Sequence, residues 1–244
     1  MAVALYTHPD MLGHIPPGRH PERPARLAAV TEALAAASGI DLEPLEAPLA
    51  EREDLLRVHD ESYVAAIEGA APSSGVAQLD PDTFMSGGSL IAALRAAGAA
   101  VAAARAVASG DIKRAFCAVR PPGHHSGPGF AMGFCVFSNI ALAARTARAA
   151  GMARVAIADF DVHHGNGTQA VFEADPSVLF ASVHQSPLYP GTGDPSETGA
   201  GNIVNAIVAP AARLAAMRLP TDMKVSGSSW ATPLAGAAAS IAAT

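Results

Sequence analysis

Five of the nine histidines in this 244-residue chain fall between His124 and His184, and four of them stand as two adjacent pairs, His124-His125 and His163-His164. The segment RVAIADFDVHHGNG adds Asp159 and Asp161, so that Asp159, Asp161 and His163 stand at i, i+2 and i+4. In an extended strand such residues project from one face, which brings two carboxylates and an imidazole together. At the C-terminal end of a parallel strand, where open α/β sheets bind ligands, they are expected to form a zinc-binding edge with mixed oxygen and nitrogen donors. A solvated strand end is the ordinary role for such carboxylates, but flanking Phe160 in an apolar strand they are expected to be buried, and buried carboxylates need partners or a metal. The inventory suggests hydrolysis. A metal held by Asp161 and His163 polarises an amide carbonyl and acidifies a bound water, while a neutral imidazole of the other pair takes the proton and returns it to the leaving amine. Each such histidine needs an orienting acceptor, for which Asp159 suits His124 and Asn166 suits His125.

Short β-rich runs (3–6, 115–119, 155–160, 178–183) alternate with alanine-rich helical segments, expected over 22–37, 55–68, 89–108 and 138–149. That alternation predicts a single α/β domain with a mainly parallel sheet flanked by helices. Pro/Gly-rich pieces at 15–19, 71–75 and 187–201 read as loops within it. Half of the residues are apolar, but alanine dominates them, and only 16% are charged, below the roughly 25% of an average domain. The net charge is -6 and Lys113 and Lys224 are the sole lysines, so no basic footprint for nucleic acid is expected. Two cysteines, Cys117 and Cys135, make no disulfide framework. The longest apolar stretch, 91–108, is interrupted by Arg95 and Arg105, and no membrane segment is expected. The expected location is the cytoplasm.

The motifs RPPGHH (120–125), GFCVFSNIALAA (133–144), DFDVHHGNGTQ (159–169) and SVHQSPLYPGTG (182–193) resemble, in order and spacing, those of the zinc-dependent histone deacetylase family. GRHPERPARL (18–27), HDESYV (59–64) and LDPDT (79–83) resemble its bacterial branch, which includes acetylpolyamine amidohydrolases and acetoin-utilisation-type proteins. The match runs from about Tyr6 to Asn205. The resemblance implies an arginase/deacetylase-like fold and removal of acetyl or similar acyl groups from lysine side chains or polyamines. It implies Asp161 and His163 as zinc ligands, His124 and His125 as the catalytic histidine pair, and Asp159 and Asn166 as their supports. Phe134 and Tyr189 match the aromatic walls of an acyl-lysine tunnel, the second wall usually being Phe. Asp82, or Asp80, matches a grip on the substrate backbone. A structural monovalent cation such as K+ is implied beside Asp159, Asp161, the His163 carbonyl and Ser182.

The family also has a third zinc-binding aspartate in a Gly-Phe-Asp-Ala-like motif, and an oxyanion-stabilising tyrosine after a Gly-rich loop. Neither motif is present: Asp222 stands in PTDMK, and no tyrosine follows Tyr189. The expectation is therefore a C-terminally incomplete deacetylase-like domain over residues 1–205, then a divergent tail over 206–244 left by truncation or a changed reading frame. Such a fold would expose apolar sheet edges and be marginally stable. Two further readings stay open. One is a non-catalytic remnant; the other is an arginase-like dimanganese ureohydrolase, which places aspartate two residues beyond the metal-binding histidine, where Gly165 stands.

Overall fold

The computed structural model describes residues 2–210. The strands are β1 (Val3–Thr7), β2 (Leu42–Glu46), β3 (Val76–Asp80), β4 (Thr83–Ser86), β5 (Ala115–Cys117), β6 (Val155–Asp159), β7 (Val178–Gln185) and β8 (Ile203–Val208). The helices are α1 (Pro24–Ala36), α2 (Arg52–Leu55), α3 (Glu61–Ala70), α4 (Ser89–Ser109), α5 (Asn139–Ala149) and α6 (Asn166–Phe172), with a 3-10 turn at Pro9–Gly13. The parallel strands fall into two ladders, β2-β1-β5 and β6-β7-β8, and β3 and β4 form an antiparallel hairpin. Strand direction and flanking helices are those the alternating pattern predicts; β5 and β6 do not pair with each other.

α4 is long and apolar enough to cross a membrane by length and composition alone. Here it is the central core helix. Ala93, Ala97 and Val101 pack with α3, α5 and β6–β8, while Ala96, Ala99 and Ala103 pack with β1, β5 and α1. Alanine favours the helix and lets layers approach closely on both sides. Cys117 and Cys135 are buried and free.

One local expectation is corrected, and two strands lie where the sequence carried no signal. The single helix over 55–68 is broken into α2 and α3, because the residues between them bond elsewhere. Asp60 N–H donates to the Pro128 carbonyl (2.9 Å), the His59 imidazole bonds the Gly127 carbonyl (2.9 Å), and His59 Nε2 accepts from Ser138 N–H (3.0 Å). β2 had no strand signal, since LEPLE holds a proline and two glutamates; it is an edge strand paired only with β1, where proline is tolerated. β8 runs through residue 205 to Val208, six residues in register with β7, so the sheet continues past the point where the sequence motifs fade. Asp222 lies outside the described residues.

Candidate functional site

The site assembles where β6 ends. Only Asp159 belongs to the strand, so the expected one-faced triplet is not a strand feature. The convergence comes instead from successive turns: Asp161 N–H donates to Asp159 Oδ1 (3.1 Å) and His163 N–H to Asp161 Oδ1 (2.8 Å). Short acidic side chains capture the amide two residues on, which curls the chain and stacks the three groups. Asp159 is sheltered, but Asp161 and His163 are over a third exposed at 39% and 37% of their side chains. The burial expected for both carboxylates holds for Asp159 alone. Phe160 between them is 60% exposed.

The second cluster arrives on the RPPG turn. Arg120, buried, donates through Nε and Nη2 to Glu22 (2.9 and 2.6 Å) and through Nη1 to the Met11 carbonyl (2.6 Å). Glu22 also meets His14 Nε2 at 3.3 Å. This buried cross-link ties the turn that launches His124 and His125 to the N-terminal segment. α6 secures the pair from the other side, Thr168 N–H donating to the His124 carbonyl (3.1 Å).

The two imidazoles lie 4.0 Å apart between ring centroids and are held differently. His124 Nδ1 bonds Asp159 Oδ2 at 3.0 Å; His125 Nδ1 bonds Asn166 Oδ1 at 2.7 Å. Burial disfavours a charge on His124, yet the hydrogen bond and charge of Asp159, with the charge of Asp161, outweigh it and raise its pKa. Burial is also the largest influence on His125, where the neighbouring His124 reinforces it, and the pKa falls from 6.5 to about 4. Asp159 is itself lowered, its burial overcome by His124 and the Asp161 amide. The two imidazoles are thus pushed in opposite directions, His124 towards the charged form and His125 towards the neutral one.

Asp161 Oδ1 and His163 Nδ1 lie 3.0 Å apart. Two donors of one tetrahedral zinc, each about 2.0–2.2 Å from it, sit about 3.3 Å apart, so these atoms fit as two ligands of one ion. Among the described residues no group of three His, Cys, Asp or Glu side chains could hold a metal, so they supply part of such a site. Gly165, two residues beyond His163, brings no side chain to the site, and a Cβ there would lie 2.2 Å from Asp159 Oδ2.

Tyr189 places its ring edge-on to His125 and His163, at 5.3 and 5.9 Å between centroids. Burial and the nearby carboxylates of Asp82 and Asp80 raise its pKa. Phe134 follows Gly133, whose backbone lies so close to His125 that a Cβ would come 2.2 Å from the ring. Asp82 occupies the β3–β4 turn with Oδ1 already accepting from Gly133 N–H at 3.0 Å. Ser182 pairs with Asp159 in the β6–β7 ladder, and its hydroxyl bonds His184 Nδ1 at 3.0 Å. Sequence reasoning gave no role to His164 and His184, which pack at 4.8 Å behind the site. His164 bonds Thr192 Oγ1 (2.8 Å) and Gln169 Oε1 (3.0 Å), and His184 Nε2 the Gly193 carbonyl (3.1 Å), which fixes the loop carrying Tyr189. The HH doublet and the His of SVHQ were the available signal.

Parallel strands and helices thus bring a histidine and carboxylate cluster together at one strand end. Residues 20–222 match the histone deacetylase domain model. The chain is 42% identical over 207 residues to a probable deacetylase of Archaeoglobus fulgidus, covering 82% of this chain and 56% of that one. It is 40% identical over 196 residues to a histone deacetylase-like amidohydrolase of Pseudomonas aeruginosa, covering 80% and 49% respectively. The crystal structure of the HDA15 HD domain superposes with a TM-score of 0.80 at 38% identity, covering 84% of this chain and 63% of that one. The chain belongs to the histone deacetylase family. It spans about half the length of the curated relatives it matches.

Proposed function

We propose that this protein is a zinc-dependent amide hydrolase that removes acetyl or similar acyl groups from lysine side chains or polyamines. The observation that carries the reading is the unequal histidine pair, His125 held by Asn166 and His124 by the Asp159 carboxylate, next to the two donors Asp161 and His163. Zinc held there would supply Lewis-acid polarisation of the amide carbonyl and a water of lowered pKa. The chain's own residues do the rest. Asn166 Oδ1 accepts from His125 Nδ1–H, which leaves Nε2 free to take a proton from water and later deliver it to the leaving amine. His124, whose charged form the Asp159 carboxylate favours, would stabilise negative charge developing beside it. Phe134 and Tyr189 flank the approach as the walls for the acyl-bearing chain. Ser182, beside Asp159, would share a monovalent cation with Asp159, Asp161 and the His163 carbonyl. The net charge of -6 suits a cationic substrate.

The test is acetate release by the full chain from an acetyl-lysine peptide and from an acetylated polyamine, with zinc supplied. Release that a chelator abolishes and zinc restores is expected. The described residues offer two of the three protein ligands a catalytic zinc takes. No release from either substrate with zinc present would favour the other reading, a relative that keeps the fold and hydrolyses nothing.

A further inference from the structure

Phe134 has a φ of 70°, and it alone among the described non-glycine residues adopts the left-handed conformation. A bulky aromatic residue does not rest there unsupported. Its support comes from two distant stretches, the HPER and LDPDT segments. Phe134 N–H donates to Thr83 Oγ1 at 3.0 Å. The Thr83 hydroxyl donates in turn to Asp82 Oδ1 at 3.1 Å, and the same oxygen accepts from Gly133 N–H at 3.0 Å. Thr83 is fully buried. The Phe134 ring stands edge-on to the His20 imidazole at 4.7 Å between centroids. That imidazole is itself fixed: Nε2–H donates to the Asp82 carbonyl (3.1 Å) and Nδ1 accepts from Glu22 N–H (3.2 Å). Backbone and ring of Phe134 are therefore both held by the β3–β4 hairpin and the segment before α1.

We infer that His20, Asp82 and Thr83 are positioning residues that clamp Phe134 and so set which acyl groups the site accepts. Asp82 Oδ1 is committed to this clamp through Gly133 and Thr83. The inference rests on the amidohydrolase reading for what passes beside Phe134. The clamp itself does not.

Thr83→Val removes the hydroxyl and keeps the shape, and Thr83→Ser restores the hydroxyl. Amide hydrogen exchange of the full-length variants reads the clamp without any turnover. Exchange at Phe134 should accelerate by about tenfold in Thr83→Val, the loss of one buried hydrogen bond, and return towards the parent rate in Thr83→Ser. Unchanged exchange at Phe134 in Thr83→Val, or equal acceleration in Thr83→Ser, overturns the clamp. If Thr83→Val loosens the whole fold, a thermal-melt cycle with Phe134→Gly decides. A glycine accepts the left-handed conformation freely, so Thr83→Val should lower the melting temperature less in that background; an equal drop in both overturns the clamp. With acetyl- and butyryl-lysine peptides, Thr83→Val should narrow the preference between the two through KM more than through kcat. A changed Phe134 exchange with unchanged preference overturns the selectivity role. Failure of the parent to release either acyl group overturns the amidohydrolase reading, and with it the selectivity role, while the exchange result still stands.

Discussion

Arg120→Met should be among the most damaging single changes away from the reacting groups. Arg120 and Glu22 are each 2% exposed and meet through two hydrogen bonds of 2.9 and 2.6 Å. Burial opposes the Glu22 charge, yet His14 and Arg120 hold its pKa below the ordinary carboxylate range. With the guanidinium gone, the carboxylate keeps only His14 at 3.3 Å, and the Met11 carbonyl loses its donor. Breaking one side of a buried pair costs about 3–5 kcal/mol. At about 2–4 °C per kcal/mol for a domain of this size, the melting temperature should fall by about 6–20 °C. The double variant Arg120→Met/Glu22→Leu removes the orphaned charge and should recover most of that loss, since apolar replacement of a buried pair is close to neutral. Protonation of Glu22 relieves the orphan too, so the deficit of Arg120→Met should shrink as pH falls. Thermal melts of parent, single and double variants by circular dichroism decide it. A single variant melting within about 2 °C of the parent, or a double variant as unstable as the two singles summed, would refute the reasoning.

Other perturbations probe other parts of the site. Burial lowers the His59 pKa from 6.5 to about 4, so its contribution is complete above pH 6.5 and is lost as pH falls towards 4. Urea melts should lose about 2 kcal/mol from this group by pH 5, and His59→Gln should flatten that part of the profile. Gly133→Ala places a methyl 2.2 Å from the His125 ring at a φ of 57°; a loss of about 2 kcal/mol or more is expected in denaturant melts. Asn166→Ala removes the acceptor that orients His125 and should lower kcat by about tenfold to a hundredfold with KM nearly unchanged, read by steady-state acetate release.

The residues of the candidate site were legible because histidine is scarce elsewhere in the chain. His124, His125, His163, Asp159, Asp161 and Asn166 lie together, His124 bonded to Asp159, His125 to Asn166 and His163 beside Asp161. The means of convergence was less legible, since turns closed by the carboxylates replace a strand face at 159–163. Long alanine-rich α4 and the four apolar strands announce themselves by period and composition. Short elements decided by tertiary partners do not: β2 carries Pro44, and α6 opens on Asn-Gly-Thr. His59 gives no local hint that it interrupts the helix expected over 55–68, because its partners lie 68 and 79 residues away. Thr83 was equally silent, as nothing near it reveals that Phe134 needs an acceptor for a left-handed amide.

The central claim is that His125 moves the proton in amide hydrolysis. The most direct measurement is kcat/KM for acetate release from an acetyl-lysine peptide by zinc-supplied parent and His125→Ala chains of equal thermal stability. A drop of about a hundredfold to ten-thousandfold in His125→Ala is the result this account requires. Equal turnover by the two chains would contradict it.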